Sequence, residues 1–205
     1  MKTPPPQTHK SPLPANPPLD LEWRGPFGWP NFESALPPAP SLPGIYLLTF
    51  EYRDGYLIYA AGITRRTVHL RLQEHTKQYL SGVYNVLDVD AVQAGTRKEI
   101  WHGFWMKPRP TERVAEFHAR HDEIITSARR QLASFRIFVA EMKEPRILER
   151  LEAAVMSHLY QQASPFCDIP DKGMFLAPRL SSEESIIVNN TCDHILHTLP
   201  LQLEI

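Results

Sequence analysis

Arg71 and His75 stand four residues apart, a spacing that puts both side chains on one face of a helix. A permanent cation beside a titratable imidazole suits a phosphate: one group holds it and the other moves a proton. Glu152 offers the hard oxygen that Mg²⁺ or Mn²⁺ takes, and a single carboxylate suffices when waters and phosphate oxygens complete the octahedron. Tyr46 could hold or deprotonate an attacking water if a metal and Arg71 lowered its phenol from an unperturbed value of about 10. A second phenol, Tyr59, lies close by in Tyr59-Ala60-Ala61-Gly62-Ile63-Thr64. Arg65, Arg66, His69, Arg71, His75 and Lys77 are opposed locally only by Glu74, which makes a basic patch for a polyanion such as DNA. Taken singly, each of these residues reads more readily as packing or solvated surface. Their order in one chain carries the argument.

The elements that must position them can be read from periodicity. Ile45 to Phe50 and Tyr56 to Ala61 are apolar runs separated by a segment ending in Asp54-Gly55, the pattern of a β-hairpin. Val68, Leu72 and Tyr79 recur at helical spacing through Arg66 to Leu80. Val86 to Val92 and Ile100 to Met106 are candidate strands, and Thr111 to about Leu132 is a candidate helix. Phe135 to Met142 alternates as a strand, and Pro145 opens a helix to about Gln162 with Leu148, Leu151, Val155, Met156 and Leu159 on one face. Trp101, Phe104 and Trp105 fit a core better than a base-stacking surface.

Gly44-Ile45-Tyr46, the Gly62-Ile63-Thr64 end of the second run, Arg71 with His75 and the later Leu151-Glu152 form an ordered set that resembles the GIY-YIG nuclease family. The resemblance spans about residues 43 to 165. It implies an α/β fold, a small mostly antiparallel sheet flanked by helices, with an insertion at about 82–133. It also implies metal-dependent hydrolysis of DNA phosphodiesters, with Tyr46 as general base, Glu152 as metal ligand and Arg71 and His75 at the phosphate. The family's YIG tyrosine aligns with Ala60, whereas the available phenol is Tyr59. In a regular strand that offset turns the ring to the other face, so either a bulge restores it or the site works without it. The family's asparagine after the metal glutamate has no counterpart before Asn189 and Asn190. A stand-alone chain of this size with inserts resembles a type II restriction enzyme, for which a two-fold pair is the simplest way to cut both strands. The rival from another class is a GIY-YIG-like module that has lost activity and binds DNA or protein.

Composition sets the outer limits. The chain has 205 residues, 42% hydrophobic and 22% charged, enough for one core and a small appendage. No apolar run approaches the roughly 18 to 20 residues that span a bilayer, and Met1 to Pro6 holds no signal-like stretch; a cytoplasmic protein without membrane contact is expected. The two cysteines are too few for a disulfide framework, and with His194 and His197 they lack the paired Cys-x-x-Cys of a zinc knuckle. A net charge of −1 excludes binding nucleic acid by bulk attraction. Thirteen of the 20 prolines fall in the first 43 residues. That composition predicts a disordered tail over 1–20 and a packed, aromatic arm over 21–43, neither of them able to supply helices or central strands. A C-terminal extension covers 166–205. Deleting residues 1 to 18 should leave the melting temperature nearly unchanged in a thermal scan; a large drop would mean that the tail packs.

Overall fold

The computed structural model describes residues 17–104 and 111–205. Most of the expected tail, and Trp105 and Met106 of the expected Ile100–Met106 strand, lie outside the described residues. In chain order the elements are β1 (Leu19–Phe27), β2 (Gly44–Tyr52), β3 (Gly55–Thr64), α1 (Val68–Leu80), β4 (Val86–Leu87), α2 (Val89–Gln93), β5 (Glu99–Trp101), α3 (Thr111–Ala119), α4 (His121–Ser134), β6 (Arg136–Glu141), α5 (Pro145–Tyr160), β7 (Ile187–Cys192), β8 (Leu196–His197) and β9 (Gln202–Glu204).

One seven-stranded sheet runs β8-β3-β2-β6-β1-β7-β9, and β4 and β5 form a separate pair. Pairing is mixed: β1 lies parallel to β7 and β3 parallel to β8, while β2 is antiparallel to both β3 and β6. This overturns the expectation of a small, mostly antiparallel sheet of GIY-YIG type built on the hairpin and one later strand. The class remains α/β. The extra strands come from the two ends of the chain, where the hydrophobic pattern was weakest. β8 and β9 are two and three residues long, too short for any period to show.

β1 is the sharper correction, because the proline-rich arm was expected to hold no central strand. Leu19 to Gly25 contains no proline, and Leu21 and Trp23 alternate inward, each 2% exposed, between β6 and β7. Pro26 falls where the β1–β6 register shifts, so its missing N–H interrupts no regular ladder. Leu19 and Asp20, expected as tail, pair with Val188 and Asn189.

Alternation along β2 sorts the core into two layers. Tyr46, Leu48 and Phe50 join Val68 and Leu72 of α1 and Ile124 and Leu132 of α4. Ile45 and Leu47 join Leu148, Leu151 and Val155 of α5. The 82–133 segment therefore contributes one of the helical layers through α4. Two local expectations change. Only Val86 and Leu87 of the expected 86–92 strand are extended, because Asp88 accepts a hydrogen bond from the Ala91 N–H (3.3 Å) and starts α2. The expected 111–132 helix divides at Arg120, whose backbone leaves the helical range and whose guanidinium donates to the Ile100 carbonyl at 2.9 Å. Among the described residues no helix is long and apolar enough to cross a membrane.

Trp23 also anchors the chain ends to each other, since its indole N–H donates to Asn190 Oδ1 at 3.0 Å. Trp23→Ala removes a buried ring and leaves that acceptor bare, so urea unfolding should show a loss of about 3–5 kcal/mol. A loss below about 1 kcal/mol would contradict an interior β1.

Candidate active site

The site begins with the β2–β3 register. Tyr46 pairs with Gly62 and Leu48 with Ala60, but Thr49 then faces Ile58, so Tyr59 is the extra residue of a β-bulge. Tyr59 and Ala60 consequently join the same core cluster as Tyr46, where a regular strand would have separated them. The offset phenol is thus turned back to the face that carries Tyr46. Gly62 has a distinct role: a Cβ there would overlap the Tyr46 ring, so only glycine lets that ring lie across β3.

The outer edge of β3 is paired by β8 only at Tyr56 and Leu57. Beyond them other segments close the edge. The Asp171 N–H donates to the Tyr59 carbonyl at 2.9 Å, and the Ala61 N–H lies 3.1 Å from Met156 Sδ of α5. A cleft of about 410 Å³ opens along this edge, lined by Tyr46, Tyr59, Arg71, His75 and Glu152 among others. α1 supplies Arg71 and His75 from one layer; it starts at a cap in which Thr67 Oγ1 accepts from the Leu70 N–H (3.2 Å). α5 belongs to the opposite layer, and Glu152, one turn before Met156, reaches the cleft past the β3 edge.

The electrostatics are set mainly by burial. The Tyr46 hydroxyl lies 2.7 Å from His75 Nε2, and His75 Nδ1 lies 3.0 Å from the Tyr84 hydroxyl. Burial, helped by the positive charge of Arg71, pushes His75 down to about 3, so the imidazole is neutral. Burial pushes the Tyr46 phenol well above its ordinary value, and Arg71 only partly opposes this. The phenol therefore keeps its proton, and Arg71 alone does not ionise it. Tyr59 is likewise raised by burial and by the negative charge of Asp171. Glu152 is pushed from 4.5 up to about 7, first by burial, with Arg71 opposing and Glu149 adding, and among the described residues no hydrogen bond relieves it.

Arg71 is under-used as a donor. Arg66 takes both Glu74 oxygens at 2.8 Å, which leaves Arg71 a 3.4 Å contact with that carboxylate. Its Nε–H is buried and meets no acceptor among the described residues. The rest of the expected basic patch is more engaged. Arg66 is the Glu74 partner, Arg65 pairs with Glu149 of α5 at 2.9 Å, and His69 contacts Gln73 at 3.2 Å. Lys77 is exposed near the end of α1.

Asn189 and Asn190 lie in β7, paired with β1, and do not line the cleft. The polar residue there is instead Asp171, almost fully buried, whose Oδ1 accepts from the Gly173 N–H at 3.1 Å. Sequence reading missed it, and missed Tyr79, Tyr84 and Phe175, which also line the cleft. Asp171 follows Pro170 in a stretch without periodicity, and Tyr84 falls just past a helix stop at Gly82. Neither position carries a spacing signal. Among the described residues no three His, Cys, Asp or Glu side chains gather as a metal site, so a metal held here would rest on Glu152, with water and phosphate oxygens as its other ligands. An unpaired carboxylate beside an under-used guanidinium fits that arrangement. Compared with family models, curated proteins and solved structures, the chain matches none.

The raised Glu152 carries a consequence for stability. The folded state binds its proton more tightly than the unfolded chain, so this favourable contribution is complete below about 4.5 and is lost as pH rises through about 7. Without divalent metal, Glu152→Gln should therefore stabilise the protein by about 1–3 kcal/mol at pH 8 and by almost nothing at pH 4. Urea midpoints at the two pH values check this. Equal effects at both would mean that the carboxylate is not desolvated.

Proposed function

We propose that this chain is a metal-dependent endonuclease that hydrolyses DNA phosphodiesters, a GIY-YIG-type enzyme by the resemblance of its site residues, working in the cytoplasm. The observation that carries the reading is the meeting, in one cleft, of Tyr46 on β2, Arg71 and His75 on α1 and Glu152 on α5. Packing alone gives no reason for a neutral histidine bonded to a buried phenol, an under-used arginine and an unrelieved carboxylate to share one opening.

In this mechanism Arg71 binds the scissile phosphate through donors that Glu74 does not occupy, and its charge stays in place as negative charge builds in the transition state. Tyr46 orients the attacking water. Because the phenol is protonated and His75 is neutral, Tyr46 passes a proton on: it receives one from the water as it gives its own to His75 Nε2. The water oxygen forms the new bond to phosphorus, and the bond to the leaving oxygen breaks. Glu152 is the carboxylate that would hold Mg²⁺ or Mn²⁺, whose chemistry when bound is Lewis-acid stabilisation of charge on the phosphodiester. Tyr59 and Gly62 act through Tyr46, the first by packing in the same cluster and the second by leaving room for its ring. Within this class we favour a site-specific restriction-type enzyme acting as a two-fold pair, since a small chain that cuts both strands works most simply as a dimer.

Single-turnover cleavage of duplex DNA across a Mg²⁺ titration tests the reading. Glu152→Gln should lose metal binding and cutting together. Tyr46→Phe should keep DNA and metal affinity while the chemical step slows by about 10² or more. If Glu152→Gln cuts as well as wild type, the activity belongs elsewhere. If wild type binds DNA but no divalent metal elicits cutting, the chain is a binding module.

A further inference from the structure

We propose that Tyr84 is a positioning residue: by accepting the Nδ1 proton of His75, it holds the imidazole in the tautomer whose Nε2 is free to take the Tyr46 proton. This rests on the nuclease reading for its purpose, though not for its geometry.

A neutral imidazole has one N–H and one bare nitrogen, and here each nitrogen faces a phenol, at 2.7 Å and 3.0 Å. Phenols both donate and accept, so the pair Tyr46 and Tyr84 could be wired in either direction. The two distances decide which. Hydroxyl donors make shorter hydrogen bonds than N–H donors, so 2.7 Å at Nε2 fits the Tyr46 hydroxyl donating to a bare nitrogen, and 3.0 Å at Nδ1 fits an imidazole N–H donating to the Tyr84 oxygen. The one imidazole proton must then sit on Nδ1 and point at Tyr84. The resulting order, Tyr46 to His75 to Tyr84, is the one in which His75 can act as a base towards the cleft. The opposite wiring would put a proton on Nε2 and block that transfer.

The fold holds Tyr84 for this role. Gly82 ends α1 with a φ of +72, in the left-handed region that favours glycine, and the Val83 N–H bonds back to the Gln78 carbonyl at 3.0 Å. The chain thereby doubles back, so that Tyr84 lies over the helix it has just left. Its ring sits edge-on to Tyr79 at 5.1 Å and tilted against His75 at 5.4 Å. The 82–133 segment thus supplies a residue to the reactive centre as well as a helical layer to the core.

The test is a nitrogen-15 correlation spectrum of the histidine side chains, with His75 assigned by comparison with His75→Gln, for wild type and Tyr84→Phe. This substitution keeps the ring and its packing on Tyr79. Wild type should carry the proton on Nδ1, and Tyr84→Phe should shift population to the Nε2–H form. A wild-type proton on Nε2, or a tautomer ratio unchanged in Tyr84→Phe, overturns the proposal. A second arm reads function: at saturating DNA and metal, Tyr84→Phe should slow single-turnover cutting by about tenfold with DNA affinity unchanged. An altered tautomer with undiminished cutting also overturns it. If wild type cuts no DNA, the nuclease reading fails, and the spectra alone decide whether Tyr84 orients His75.

Discussion

The Tyr46 ring can lie across β3 only because residue 62 has no side chain. Any larger residue there would force the ring away from its partner strand, and with it the hydroxyl that meets His75. The rest of the site follows from that close approach. With the ring laid over the strand, its hydroxyl reaches the outer edge of β3, where α1 from one layer and α5 from the other both come near. A phenol standing upright on the sheet face would meet only α1. The bulge at Tyr59 works with this arrangement, since it turns a second ring to the same face without changing the pairing of Tyr46 with Gly62.

A sheet edge is an unusual place for buried polar groups. β8 covers β3 only at Tyr56 and Leu57, so the backbone beyond must find partners in a loop and a helix. The Asp171 loop and α5 supply them and in doing so wall the cleft. Burial between these walls outweighs the Arg71 charge at both Tyr46 and Glu152. Burial likewise keeps His75 neutral. The cleft therefore keeps the proton on Tyr46 and leaves His75 neutral. That is the state from which a proton can be passed along a hydrogen-bonded chain rather than drawn by a preformed phenolate.

Much of the site was legible because it depends on local spacing. Arg71 and His75 share a helix face by periodicity alone, and the glycine-bounded hairpin can be read from its turn and its apolar runs. The basic patch was less legible. Its charges could be counted, but Glu149, which lies 84 positions from Arg65 and takes up its charge, could not be matched to it without the fold. Asp171 and Tyr84 were invisible for a related reason. Each is positioned by backbone bonds in a loop or turn, which leave no period in the sequence.

By itself the sequence determined the α/β class, the hairpin and the two helices that carry Arg71, His75 and Glu152. These are consequences of side-chain type and of the 2.0 and 3.6 residue periods, which act over a few neighbours. Only the tertiary structure decided that a strand of the proline-rich arm enters the middle of a seven-stranded mixed sheet. It alone decided that Tyr59 bulges back to the Tyr46 face and that Glu152 reaches the cleft from the opposite layer. Strand order, register and edge closure are settled by which distant surfaces bury one another best, and that competition involves residues far apart in the chain.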